Sequence, residues 1–241
     1  MFMLSNKVKV GSLTAKEQQN ALNEVRILAS VHHENVISFK EAFIDDEKEH
    51  LWLIIEYAND TDLYQKIKEK QNANEYFDEV EVWKVAIDVL KGLNQLHLLK
   101  IMHRDLKSAN VFLTADGTAK LGDMNVSKVT DKKGLNYTQT GTPYYASPEV
   151  WRDESYDIKS DIWSLGCVIY EMCALKPPFK ARNFQELFKK ISKGSYTRIP
   201  KFYSNDLASL IKVLLNVDAE NRPDCNKLLN WFLIRQKVII W

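Results

Sequence analysis

One stretch limits the possible folds more than any other: residues 162–170, IWSLGCVIY, are apolar on nearly every side of a helix. A surface helix shows a single apolar stripe, so a helix of this kind has to be enclosed by other elements. The sequence supplies them. Val82, Val85, Ala86, Val89, Leu90, Leu93 and Leu96 form one stripe on a long helix predicted over residues 78–99. Further helices are predicted at 159–175, which contains the apolar stretch, and at 183–192, 205–216 and 223–235. Pro177-Pro178-Phe179 marks the end of the central helix. Cys167 and Cys173 fall within that helix and read as small hydrophobes.

The first 57 residues follow another pattern, read as strand, helix, strand, strand. Residues 2–10 form a short strand, and Thr14-Ala15-Lys16-Glu17 has capping-box spacing that opens a helix to about Val31. VISFKEAF at 36–43 and LWLIIEY at 51–57 are rich in β-branched and aromatic residues, with a polar turn around Asp45-Asp46-Glu47. Two more short strands, near 111–114 and 119–122, flank the turn sequence Ala115-Asp116-Gly117-Thr118. After them comes an irregular polar stretch of about 25 residues, a length that in compact domains usually marks a functional segment. The fold class is α+β: a small β-rich lobe, residues 1–58, and a larger helical lobe, residues 59–241, in one domain without internal repeats or linkers.

Composition excludes several classes. With 33 basic against 32 acidic residues the net charge is +1, so no general attraction to nucleic acid or anionic membrane is expected. Cys167, Cys173 and Cys225 show no paired or zinc-ligand spacing, which excludes a disulfide scaffold. No apolar run reaches the roughly 18 residues of a membrane span, and the start lacks a signal-peptide core. A cytoplasmic or nuclear protein is expected. His32-His33 reads as a polar loop and His97 as a satisfied core or boundary residue.

Chemistry concentrates at His103-Arg104-Asp105-Leu106-Lys107-Ser108-Ala109-Asn110, on a loop between the long helix and a short strand. Asp123 lies thirteen residues beyond Asn110, at the end of the second short strand. Phosphoryl transfer needs a carboxylate to orient the attacking hydroxyl, oxygen ligands for magnesium, and a cation against developing charge. Asp105, Asn110 with Asp123, and Lys107 are those residue types in that order.

HRDLKSAN and GDMN at 122–125 resemble the catalytic-loop and DFG motifs of eukaryotic protein kinases. The resemblance implies a bilobal kinase fold, ATP and Mg²⁺ as cofactors, and protein substrates. It implies Asp105 as the residue that orients the hydroxyl, Lys107 on the transferred phosphate, and Asn110 and Asp123 on the metal. SPE at 147–149 stands for the family's APE motif, so residues 123–149 correspond to the activation segment. Glu149 is then expected to pair with Arg222, Asp161 to anchor the catalytic loop from the central helix, and His103 to be structural. Glu24 corresponds to the helix glutamate that pairs with a strand lysine, Ile55 to the gatekeeper, and the Glu56 and Ala58 backbones to the adenine contacts. Lys107 with Thr142 in GTPYY is similar to serine/threonine kinases. GTPYYASPE, NEVRILASVHHENVI and SDIWSLGCVIYEM together are similar to the NIMA-related kinases, which implies a cytoplasmic place, or one at the cytoskeleton or nucleus. Thr138 stands where that family carries its activating phosphosite, with Arg104 as the phosphate's partner and Thr140 as the competing position.

The chain departs from the family at its start. Only Gly11 precedes Gly92 among eight glycines, so the Gly-rich loop that covers phosphates is missing, and the first two strands with it. Asn6 falls at the strand-lysine position, with Lys7 beside it on the alternate face. One absent N-terminal segment would explain these departures. A pseudokinase or scaffold that binds partners without phosphotransfer is the alternative reading.

Overall fold

The structure is a computed structural model. It describes residues 29–45, 47, 49–58, 60–122, 143–155 and 157–237, the backbone of 3–9 and 238, and residues 11, 14, 16, 18, 22 and 25. Among them an antiparallel three-stranded sheet runs in the order β1-β3-β2, from β1 (Met3–Lys9), β2 (Phe39–Ile44) and β3 (His50–Glu56). Its register sets Asn6 opposite Leu53 and Lys7 opposite Trp52; the side chains of β1 lie outside the described residues. Val25, Leu51 and Leu53 form the small core beneath the sheet.

β2 begins at Phe39, three residues later than its sequence suggests. Val36 and Ile37 serve another element: the Ile37 N–H donates to the Leu121 carbonyl at 2.7 Å, and the Leu121 N–H to the Asn35 carbonyl at 2.9 Å. These bonds fasten the small lobe to β5 (Ala119–Leu121), which pairs with β4 (Val111–Leu113) in a separate two-stranded sheet. Gly117, at φ +76°, makes the turn between them.

The larger lobe holds α1 (Leu63–Ala73), α2 (Glu79–Leu98), α3 (Pro148–Trp151), α4 (Ile158–Ala174), α5 (Phe184–Lys193), α6 (Asn205–Leu214), α7 (Cys225–Leu229) and α8 (Phe232–Val238). Every residue of 160–173 is buried, as the all-round apolar pattern requires. α4 ends at Leu175, whose left-handed backbone turns the chain before the two prolines. The single helix expected over 223–235 is two short ones. Asp224 caps α7 by accepting the Lys227 N–H at 2.8 Å, and Asn230 bonds its side chain back to the Asn226 carbonyl at 2.9 Å. Such local side-chain bonds compete with the helix ladder, and the chain restarts at Phe232. Among the described residues no helix is long and apolar enough to cross a membrane.

Gly92 tests how tightly α2 seats against the small lobe. A Cβ there would lie 2.6 Å from the Asn35 carbonyl oxygen and 2.9 Å from a Leu121 methyl. Alanine would gain up to about 1 kcal/mol of helix propensity, but overpacking against fixed backbone costs about 1–3 kcal/mol. Gly92→Ala is expected to lower the melting temperature by several degrees, read by circular dichroism.

Candidate active site

The loop after α2 has no regular structure until the single 3₁₀ turn Ser108–Asn110, so its shape comes from what holds it. Asp161 of α4 holds its start. This carboxylate is fully buried and accepts the His103 N–H at 3.0 Å and the Arg104 N–H at 3.1 Å. Arg104 takes a left-handed φ of +65°, which costs a non-glycine residue free energy that the surrounding bonds have to offset. His103 and Leu106 are buried while Arg104 is exposed. His97, on the last turn of α2, bonds the same carboxylate through Nε2 at 2.8 Å, and its Nδ1 lies 3.4 Å from the Cys225 sulfur. Both ring nitrogens of His97 thus have partners, in keeping with the satisfied core or boundary residue that its position on the helix suggests.

The half-buried Asp105 carboxylate gathers the rest. Its Oδ2 accepts from Lys107 Nζ at 2.9 Å and from Asn110 Nδ2 at 3.2 Å, and Asn110 Nδ2 also donates to the Asp105 carbonyl at 2.8 Å. Asn110 thereby commits its amide N–H groups to Asp105 and keeps a hard carbonyl oxygen, the donor type that magnesium takes. The Gly122 N–H donates to the Asn110 carbonyl at 3.0 Å, so the chain that leads into Asp123 is fastened beside the same loop. A Cβ on Gly122 would meet the Phe112 ring at 2.5 Å, which accounts for glycine there. Asp123, Glu24, Thr138, Thr140 and Thr142 lie outside the described residues.

Three positions expected at the nucleotide lie together at the end of β3 and just beyond it. Ile55 is half-buried, Ala58 is buried, and Tyr57 between Glu56 and Ala58 is exposed. The Glu56 side chain accepts from the Ser38 N–H at 3.0 Å and pairs with Lys120 at 2.9 Å. Burial alone would raise its pKa, but these contacts outweigh it and hold the carboxyl below its ordinary range.

Glu149 and Arg222 form a two-pronged ion pair, Nη1 to Oε1 at 2.7 Å and Nη2 to Oε2 at 2.6 Å, with both side chains buried. Ser160 also donates to Glu149 Oε1 at 2.8 Å, and the remaining guanidinium bonds reach the Asn216 and Lys159 carbonyls, both at 2.7 Å. A second network was not anticipated from the sequence. The Tyr145 hydroxyl donates to Glu171 Oε2 at 2.6 Å and lies 3.0 Å from Ser108 Oγ. It joins the chain just before α3 to both α4 and the loop that carries Asp105. The only sequence signal was Tyr145 within GTPYY, and burial with the nearby Glu171 charge pushes that phenol's pKa well up.

The protein kinase domain family matches residues 3–233. The chain is 39% identical over 230 residues to the probable serine/threonine-protein kinase nek2 of Dictyostelium discoideum, covering 94% of this chain and 55% of that protein. It is 42% identical over 224 residues to serine/threonine-protein kinase Nek5 of Mus musculus, covering 92% and 35% respectively. With the G2-specific protein kinase nimA of Emericella nidulans the identity is 33% over 262 residues, covering 97% and 38%. The chain spans about half the length, or less, of these curated relatives.

The Glu149–Arg222 pair carries its own prediction. Removing the cation leaves a buried carboxylate unpaired, so Arg222→Ala should cost about 3–5 kcal/mol of stability in thermal unfolding. Burial opposes ionisation of Glu149, but the Arg222 bonds and charge prevail and bring its pKa down from 4.5 to about 2. A group whose folded pKa is depressed stabilises the fold above its unfolded value and loses that contribution on acidification. The melting temperature should therefore fall as pH drops from 4.5 toward 2, and Glu149→Gln should lack that portion of the fall.

Proposed function

The chain belongs to the protein kinase family, in its NIMA-related serine/threonine branch, and on that premise we propose that it transfers the γ-phosphate of ATP to a protein serine or threonine hydroxyl. The observation that carries the reading is the cluster at Asp105, where one carboxylate is met by Lys107 and Asn110 and its loop is anchored to α4 through Asp161. Asp105 orients the substrate hydroxyl and takes up its proton as the hydroxyl oxygen bonds to the γ-phosphorus and the bond from that phosphorus to the β-phosphate oxygen breaks, with ADP as the leaving group. Lys107, 2.9 Å from Asp105, sets a positive charge beside the transferred phosphoryl group. Asn110, with Asp123, would hold magnesium, which would supply positive charge against the phosphates and orient them. The backbones of Glu56 and Ala58 would meet the adenine, beside the Ile55 side chain, and Thr142 is assigned to the catalytic group from its place in GTPYY.

Regulation belongs to the same reading. A phosphate on Thr138 adds about −1.5 to −2 charge, and Arg104, exposed beside Asp105, is the cation to receive it.

Two experiments test the proposal. Asp105→Asn and Asp123→Ala should each reduce phosphate transfer to a serine/threonine substrate by at least about 10²–10³-fold, and unchanged transfer in either contradicts the assignment. Mg-ATP should raise the melting temperature progressively as its concentration exceeds the dissociation constant. An absence of any shift would favour a scaffold without nucleotide.

A further inference from the structure

Cys225, His97 and Asp161 stand in line, a thiol, an imidazole and a carboxylate contributed by α7, α2 and α4. The sulfur lies 3.4 Å from His97 Nδ1, and His97 Nε2 lies 2.8 Å from Asp161 Oδ2. In an open cleft this order of groups would suggest a nucleophile with its base. Here Cys225 is 2% exposed and Asp161 0%, so no substrate reaches the sulfur. The line ends instead on the catalytic loop, because Asp161 also receives the His103 and Arg104 N–H groups.

We propose that Cys225 is a positioning residue for the catalytic loop. Its S–H donates to His97 Nδ1 and fixes the ring as the neutral Nε2–H tautomer, which donates to Asp161 and keeps that carboxylate turned to the His103 and Arg104 amides. The assignment follows from counting donors. Asp161 is an acceptor at both oxygens, so His97 must present N–H at Nε2. Nδ1 of a neutral ring is then an acceptor and needs a donor, and among the described residues the side chains in hydrogen-bond reach of the ring are Asp161 and Cys225. Burial, reinforced by the Asp161 and Asp224 charges, pushes the thiol's pKa up and keeps it protonated, hence able to donate. Asp224, the other carboxylate beside Cys225, accepts the Lys227 N–H at 2.8 Å as the cap of α7. Without the thiol proton, Nδ1 would be an unsatisfied acceptor in a buried site, and the ring would gain by turning or by moving its proton to Nδ1. Either change alters the hydrogen bond that Asp161 shares with the loop.

The consequence for turnover rests on the kinase reading, while the tautomer does not, and the test separates them. The full chain, with ¹⁵N-labelled histidine, is measured as wild type, Cys225→Ala and Cys225→Ser by imidazole nitrogen NMR near neutral pH, alongside kcat and KM for ATP. The wild type should show His97 as pure Nε2–H with an unprotonated Nδ1. Cys225→Ala should add the Nδ1–H tautomer and lower kcat by about threefold to tenfold, the scale of one hydrogen bond, with KM unchanged. Cys225→Ser, which keeps a donor at the same place, should restore both. A wild-type ring protonated at Nδ1, or a Cys225→Ala ring indistinguishable from wild type, overturns the inference. The expected tautomers in a chain without phosphotransfer would uphold it and overturn the kinase reading.

Discussion

Two backbone N–H groups of the loop that carries Asp105, those of His103 and Arg104, converge on one fully buried carboxylate, and the candidate active site depends on that junction. Ionised carboxylates are costly to bury unless every oxygen is satisfied by donors. Asp161 meets that condition with two loop amides and the His97 ring, so the bonds that make its burial tolerable are the bonds that shape the loop. α4 can carry it because all fourteen residues from 160 to 173 are buried, which fixes the helix and hence the carboxylate's position. The left-handed backbone of Arg104, unfavourable by itself, is held within this arrangement and turns the next residue, Asp105, toward Lys107 and Asn110.

The same helix organises the far end of the activation segment. Ser160 donates to Glu149, Ser164 donates to the Tyr145 carbonyl at 3.0 Å, and Glu171 accepts from the Tyr145 hydroxyl. Arg222 closes the arrangement from below, bonded to Glu149 and with its guanidinium 5.2 Å from the centre of the Trp163 ring. Catalytic loop and segment end are thus both tied by charge-assisted bonds to one buried rod. Ser108, in contact with Tyr145, joins them directly, so displacement of either one is felt by the other.

Much of this was legible in the sequence, and the residues show why. Long helices with an apolar stripe, such as Glu79–Leu98, announce themselves through periodicity, and the all-round apolar run of α4 gives its central place. Asp105, Lys107 and Asn110 sit within one short loop, where spacing alone carries the chemistry. What escaped depends on partners distant in sequence or on competition at element ends. Tyr145 meets Ser108 across 37 positions and Glu171 across 26, and Cys225 meets His97 across 128; no local pattern encodes such contacts. The start of β2 moved because Val36 and Ile37 pair with β5, and the last helix divided at Asn230 because its side chain bonds backward. Propensity favoured the longer elements, and tertiary contacts overrode it.

The most direct test of the account is amide hydrogen exchange at His103 and Arg104 in the wild type and in Asp161→Asn, resolved by NMR. Asn preserves volume but replaces one acceptor oxygen with an N–H donor, so the junction loses a partner without leaving a cavity. The account expects both amides to be strongly protected in the wild type. In the variant they should exchange at least about tenfold faster while the α2 and α4 cores keep their protection. Equal protection of the two amides in both proteins would contradict the claim that Asp161 holds the catalytic loop.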